Sequence, residues 1–333
     1  MIIIRFMVFV KIIFFIQPVF GDAINLPEKP AENYVFMLSP LIGFFYGQAE
    51  EIVYRPNNDF KSETHSQLLW DIKPVYYYGL QMNFLQARPF DKKGFFSGFS
   101  LLSGISGKSG SMENRDWLSK QNSALTNYSK HDNFTKNIFF LDFNAGYSIP
   151  LKKRFQLKPF INISYMHFSF YGVGGYGQYA KGNYGNNGIY EPIEDAPIEY
   201  FPEGKKVINY TQNWLTGSPG FSSVFYFLPV LSIELSFQIS PLILCSALDE
   251  HIGGEVQFRD YMRGGLSLCP ALLFSFSFKE IFTLSMDISL RYITNTKGPS
   301  FRRGYGKSLY FDNGISGAAL SLFNAGILFK VNL

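Results

Sequence analysis

The sequence predicts an all-β fold, a transmembrane antiparallel β-barrel of about ten strands that extends past the membrane on the extracellular side. Three observations carry that prediction. The composition is aromatic and glycine-rich: 36 Phe, 21 Tyr and 30 Gly among 333 residues, with only 17% charged. Disordered chains are poor in aromatics, and Gly and aromatics are mediocre helix formers. Several long segments alternate apolar and polar residues with period two, the mark of a strand with two unlike faces. Finally, short connections alternate with long polar ones, as they do in outer-membrane barrels.

The first 21 residues read as a secretory signal peptide. Arg5 begins it, Ile12–Phe15 with Val19 and Phe20 form its apolar middle, and Gly21 ends it with a small residue. Beyond it we find no run of 18 uninterrupted apolar residues, so no spanning helix is expected. Residues 22–333 are then one barrel domain. Without Arg5 and Lys11, the 30 basic residues fall to 28, against 26 acidic. So even a balance argues against a nucleic-acid partner.

The strands fall at 34–46, 66–86, 95–111, 136–149, 155–180, 206–227, 231–248, 263–278, 281–294 and 314–333. The alternation is clearest where Leu231, Ile233, Leu235, Phe237 and Ile239 interleave with Ser232, Glu234, Ser236, Gln238 and Ser240. It recurs where Phe282, Leu284, Met286, Ile288 and Leu290 interleave with Thr283, Ser285, Asp287, Ser289 and Arg291. Lipid outside and a polar lumen inside would account for the two faces. Short turns are expected near 87–94, 150–154, 228–230 and 279–280. Long loops are expected at 47–65, 111–135, 181–206, 249–262 and 295–313. Four short and five long connections make ten strands with both termini in the periplasm.

Two clusters carry chemistry. Asp249-Glu250-His251 lies where a strand enters a long loop. Residues i and i+2 share a strand face, so Asp249 can orient the His251 imidazole and raise its pKa, making a general base. In the preceding strand the odd-numbered residues face lipid, so the parity must change before Asp249. Ser240-Pro241 is the place for a bulge. The second cluster is Asn114-Arg115-Asp116-Trp117, where Asn114 and Asp116 share a face. Each cluster alone is also what a solvated loop start looks like.

Together they resemble the omptin family, ten-stranded outer-membrane proteases with a cleft at the outer rim. Omptins carry Asp-x-Asp-Trp in the second long loop and Asp-Glu-His in the fourth. Gly47–Tyr54 (GQAEEIVY), Ser66–Trp70 (SQLLW), Tyr128–His131 (YSKH) and Tyr292–Gly298 (YITNTKG) extend the likeness over most of the mature chain. The resemblance implies an endopeptidase in which Asp249 and His251 activate water. Asp116 and position 114 would act from the opposite wall. Glu51 would line a pocket for a basic side chain.

The departures are specific. Asn114 stands where the family has Asp; an amide can hydrogen-bond a water but cannot take a proton. Two more acidic positions of the family appear as Asn127 and Ala247, leaving Glu51 alone of that acidic set. The family also uses lipopolysaccharide as an activating lipid, but Ile163–His167 (ISYMH) does not show its site. No cofactor or metal is expected. The partners expected are peptide or protein substrates at the cell surface and outer-membrane lipid. The alternative is a catalytically impaired barrel acting as a surface adhesin or binding protein. A porin is a third reading, but ten strands leave little room for an aqueous channel. Gly172–Gly177 (GVGGYG) matches G-x-G-x-x-G without the helix a nucleotide site requires. Cys245 and Cys269 flank the fourth long loop, and an oxidising compartment would permit a disulfide if geometry allowed.

Overall fold

The computed structural model describes residues 35–55, 63–86, 93–152, 154–182, 188–278, 282–304 and 310–332. The expected signal peptide and the turns at 87–92 and 279–281 lie outside the described residues. The strands are β1 (Val35–Tyr54), β2 (Thr64–Leu85), β3 (Gly94–Gly104), β4 (Gly107–Asp116), β5 (Asn127–Lys152), β6 (Phe155–Tyr179) and β7 (Ile198–Tyr200). They continue as β8 (Lys206–Leu228), β9 (Leu231–Ser240), β10 (Leu242–His251), β11 (Val256–Arg263), β12 (Ser267–Phe278), β13 (Phe282–Gly304) and β14 (Tyr310–Asn332).

These strands assemble into ten staves. β3 with β4, β9 with β10, and β11 with β12 are the lower and upper halves of single staves, broken at 105–106, at Pro241 and at 264–266. The short β7 is an addition on β6. Every stave is antiparallel to its neighbours in sequence, and β14 pairs with β1 from Met37↔Asn332 to Tyr54↔Ile315, which closes the ring. The expected ten-strand architecture is what forms.

The staves run further than the apolar alternation does. β1 continues to Tyr54, β4 to Asp116 and β13 to Gly304, while β5 begins at Asn127. Much of the expected loops 47–65, 111–135, 249–262 and 295–313 is therefore paired strand. Beyond the lipid belt both faces of a stave meet polar surroundings, so the period-two signal fades while the ladder continues. The expected loop at 181–206 is present, and carries a short 3-10 turn, Ile193–Asp195, as well as β7.

Two bulges set which side chains point inward. Across Ser240-Pro241, Gly217 pairs with Leu242 and Gly220 with Gln238, so two residues of β8 face three of its neighbour. The parity reverses there, as the sequence suggested. Leu242 and Leu244 are 71% and 55% exposed, whereas Ile243, Cys245, Ala247 and Asp249 are all buried. The Ser240 hydroxyl donates to the carbonyls of Gly217 and Leu242 at 2.7 and 2.9 Å, occupying polar groups that the break exposes. A second bulge was not foreseen. Gly47 pairs with Ile72 but Phe45 with Val75, which leaves Lys73 and Pro74 as the extra residues of β2. It turns Leu68, Trp70 and Ile72 inward, while Tyr76 further down the same stave faces outward, 61% exposed.

The lower lumen is polar, as expected. Arg291 spans it, donating to the Ser164 hydroxyl at 2.9 Å and to Asp142 at 3.4 Å. The upper lumen corrects the expectation of a uniformly polar interior. Trp70 stacks between Tyr210 (5.3 Å, 6°) and Phe170 (5.6 Å, 17°), joining walls that are far apart around the ring. Phe45, Tyr77, Phe140 and Phe168 continue this aromatic plug downward. The Gln212 side-chain amide of β8 donates to the Glu50 carbonyl of β1 at 3.1 Å, a second tie across the lumen.

Cys245 and Cys269 are both buried and free. The break at Gly264 and Gly265, both with positive φ, shifts the returning stave. Cys245 thus faces Met262 and Trp214, while Cys269 faces Gln238, so they are not cross-strand partners.

Deleting Pro241 removes the extra residue of the first bulge. A one-residue slip moves every side chain beyond it to the other face, so Asp249 would point outward and Leu242 inward. We expect the refolded yield to fall at least tenfold, read as loss of the heat-modifiable folded band on a gel. A normal folded band with intact activity would show that the bulge does not set the parity.

Candidate active site

The clusters singled out in the sequence meet at one end of the barrel, above the aromatic plug. Asp249 and His251 project inward from β10, which pairs with β8 (Asp249↔Tyr210) and β11 (Asp249↔Phe258). Asn114 and Asp116 lie on β4, held between β2 (Asp116↔Ser66) and β5 (Asp116↔Asn127). Around the ring, β4 and β10 are separated by β5, β6 and β8 on one side, so the clusters belong to different walls of a cleft. All four residues sit on paired strand rather than in loops, which fixes them more firmly than the sequence reading implied.

On one wall His251 Nε2 lies 2.6 Å from Asp249 Oδ2. The imidazole is partly exposed to the cleft, whereas the Asp249 carboxylate is buried. Phe258 meets the ring edge-on at 5.8 Å and restricts its rotation. The charge of Asp249 raises the His251 pKa above its ordinary value; burial opposes this, while the hydrogen bond and the more distant Asp116 add to it. With Nε2–H donated to Asp249, Nδ1 carries the free lone pair.

On the other wall two amides converge on one carboxylate. Asn127 Nδ2 lies 3.3 Å from Asp116 Oδ2 and Asn114 Nδ2 lies 3.5 Å from the same oxygen. Ser66 donates its hydroxyl to Asn114 Oδ1 at 3.1 Å, which orients the amide nitrogen toward Asp116. Burial raises the Asp116 pKa, and the bonds from Ser66, Asn127 and Asn114, with the charge of His251, counteract the rise. The Asn residues at 114 and 127 thus donate to Asp116, where acids would repel it. Asp116 and His251 each feel the other's charge.

At the floor, Glu51 is buried with Oε2 unpartnered. Its pKa stands well above the ordinary value, through burial first and then through repulsion by Asp249 and Asp260. Asp260 was missed in the sequence. It is completely buried on β11, directly opposite Ala247, and neither of its oxygens has a hydrogen-bond partner. The acidic set therefore holds a carboxylate besides Glu51. Its signal was the short alternation Phe258, Asp260, Met262 in a segment expected to be loop.

The remaining expectations fall elsewhere. His131 is buried on β5, bonded to Ser129 and to the Gly174 carbonyl. In the stretch Ile163–His167, Ser164 and Met166 are buried inward, and Tyr165 and His167 both bond Asn213. Gly172–Gly177 lies within β6 and opens no helix. Gly175 has φ +88° and a Cβ there would strike the Lys130 carbonyl, so this glycine serves a close strand approach.

Three comparisons bear on descent. The model of the Omptin family matches residues 32–329. Among solved structures the chain is similar to the outer membrane protease OmpT from Escherichia coli. The match has a TM-score of 0.79 and 18% identity, and covers 93% of this chain and 99% of that one. It also matches the P. putida toluene transporter TodX (TM-score 0.33, 10% identity, 92% and 91% covered). The translocator domain of the autotransporter NalP from Neisseria meningitidis gives 0.34, 7%, 97% and 95%. Scores that low say no more than that all are sheets of similar size. No curated protein matches the chain in sequence. The OmpT likeness shows the fold, and the family model spans most of the chain. The protein is therefore a bacterial outer-membrane β-barrel on a protease fold, and it belongs to the omptin family.

Proposed function

We propose that this chain is an endopeptidase that cleaves peptides or proteins at the cell surface, with His251 as the general base. The observation that carries this reading is the 2.6 Å contact between His251 and Asp249 in a cleft whose other wall holds Asp116. The leader at residues 1–21 would export the chain, and the cleft end of the barrel would face outside.

The reaction follows from the groups present. His251 Nδ1 takes a proton from a water, whose oxygen bonds to the peptide carbonyl carbon. Asp249 stabilises the imidazolium that results. The tetrahedral intermediate then collapses, the C–N bond breaks, and His251 returns its proton to the leaving amine. Asn114 donates a hydrogen bond to the water or the oxyanion, and Asp116 holds that amide in place. No covalent enzyme intermediate forms. Water, imidazole and carboxylate complete the chemistry, so we assign no cofactor.

Asn114 is the observation that favours a second reading, a catalytically impaired barrel that binds proteins at the surface. If the family's acid at this position must share a proton, the amide cannot replace it.

Three outcomes test the first reading. His251→Ala should lower kcat/KM by ~10²–10⁴-fold, the usual contribution of a general base, measured on a peptide library by mass spectrometry. The base must be neutral, and its pKa is raised, so activity should climb with pH through a midpoint above 6.5. Asp249→Asn should move that midpoint down and lower kcat. Asn114→Asp should leave the cut sites unchanged and increase kcat. A silent wild type beside a cutting Asn114→Asp variant would instead establish the binding-protein reading.

A further inference from the structure

The family resemblance gives position 247 an acid, and this chain has Ala247. The structure shows what stands opposite: Asp260 is the cross-strand partner of Ala247 in the β10–β11 ladder. Cross-strand partners point to the same face at close range. Removing one carboxylate and adding the other leaves the charge at nearly the same place, on the adjacent strand.

The surroundings of Asp260 are those of a waiting site. Asp260 and Glu51 are 0% and 1% exposed. Both oxygens of Asp260, Oε2 of Glu51 and Oδ1 of Asp249 lack hydrogen-bond partners. Ser300 and Ser316 are the nearest hydroxyls to Asp260, from β13 and β14, and they do not meet hydrogen-bond geometry. The largest charge effects on Glu51 come from Asp249 and Asp260, and both are repulsive. Buried carboxylates without donors are costly, and a protein retains them where something else supplies the counter-charge. Among the described residues no group of three acidic, His or Cys side chains could hold a metal ion. An organic cation fits better: a guanidinium offers five donors, enough for three carboxylates facing one space. Tyr210, stacked on Trp70, lies beside the acids and offers an apolar wall to the methylene stem.

We propose that Asp260 is a specificity-determining residue, which with Glu51 binds the cationic side chain of a peptide lying in the cleft. This rests on the reading of the cleft as a peptide site. Empty, the pair retains a proton: burial raises Glu51 well above its usual range and Asp260 to about 6. A cationic side chain displaces that proton and takes its place.

Binding tests this apart from catalysis. Fluorescent hexapeptides with a central Arg, or its neutral isostere citrulline, are titrated against the full-length His251→Ala protein refolded in detergent. We expect the Arg peptide to bind at least tenfold more tightly. Adding Asp260→Asn or Glu51→Gln should bring the two peptides within twofold. Adding Ala247→Asp to the Asp260→Asn protein should restore the preference, and that rescue excludes misfolding as the cause of its loss. Equal binding of the two peptides, no binding of either, or a preference that survives Asp260→Asn would each overturn the proposal. A wild type that keeps the Arg preference but cuts nothing would overturn the protease reading alone.

Discussion

The constraint on which this structure depends is closure of the backbone ladder. In lipid, an unpaired N–H or C=O has no water to turn to, and each costs several kcal/mol. The β1–β14 pairing removes the last free edge. Because the ring must stay closed, a stave can change which side chains face inward only by inserting a residue while its ladder continues. The chain does this at Lys73-Pro74 and at Ser240-Pro241. Both insertions contain proline, which has no N–H to leave unpaired at the break.

Those two bulges assemble the site. The first sends Trp70 and Leu68 inward to build the plug; the second sends Asp249 inward to stand above it. The plug then does two things. It ties opposing walls together through the stack of Trp70 on Tyr210, and such aromatic pairs contribute ~0.5–1.5 kcal/mol beyond their buried area. It also closes the lumen beneath the cleft. Water is thereby excluded from the floor, which strengthens every charge effect there. The raised pKa values of Glu51, Asp260 and His251 have this common origin.

The electrostatics of the cleft are asymmetric. On the β4 side Asn114 and Asn127 donate to the single carboxylate of Asp116 and quiet its charge. On the β10 side three carboxylates crowd together, with His251 against one of them. Peptide chemistry suits such a division: one wall carries hydrogen-bond donors for oxygen, and the other carries a base beside a region hungry for cations.

Much of this was legible in the sequence. Period-two alternation gave the barrel and its lipid face, because lipid imposes one polarity on every second residue. Spacing of i and i+2 put Asp249 with His251 and Asn114 with Asp116, and the clash of parity located the bulge at Ser240-Pro241. What the tertiary structure alone decided lies above the lipid belt. There both faces of a stave meet polar surroundings, so neither the length of the staves nor the bulge at Lys73-Pro74 leaves a pattern. Asp260 faces Glu51 and Ala247 only through pairing of staves, and the free state of Cys245 and Cys269 depends on the register after Gly264 and Gly265. A sequence specifies which face of its own strand a residue takes; what lies across the lumen is fixed only when the ring closes.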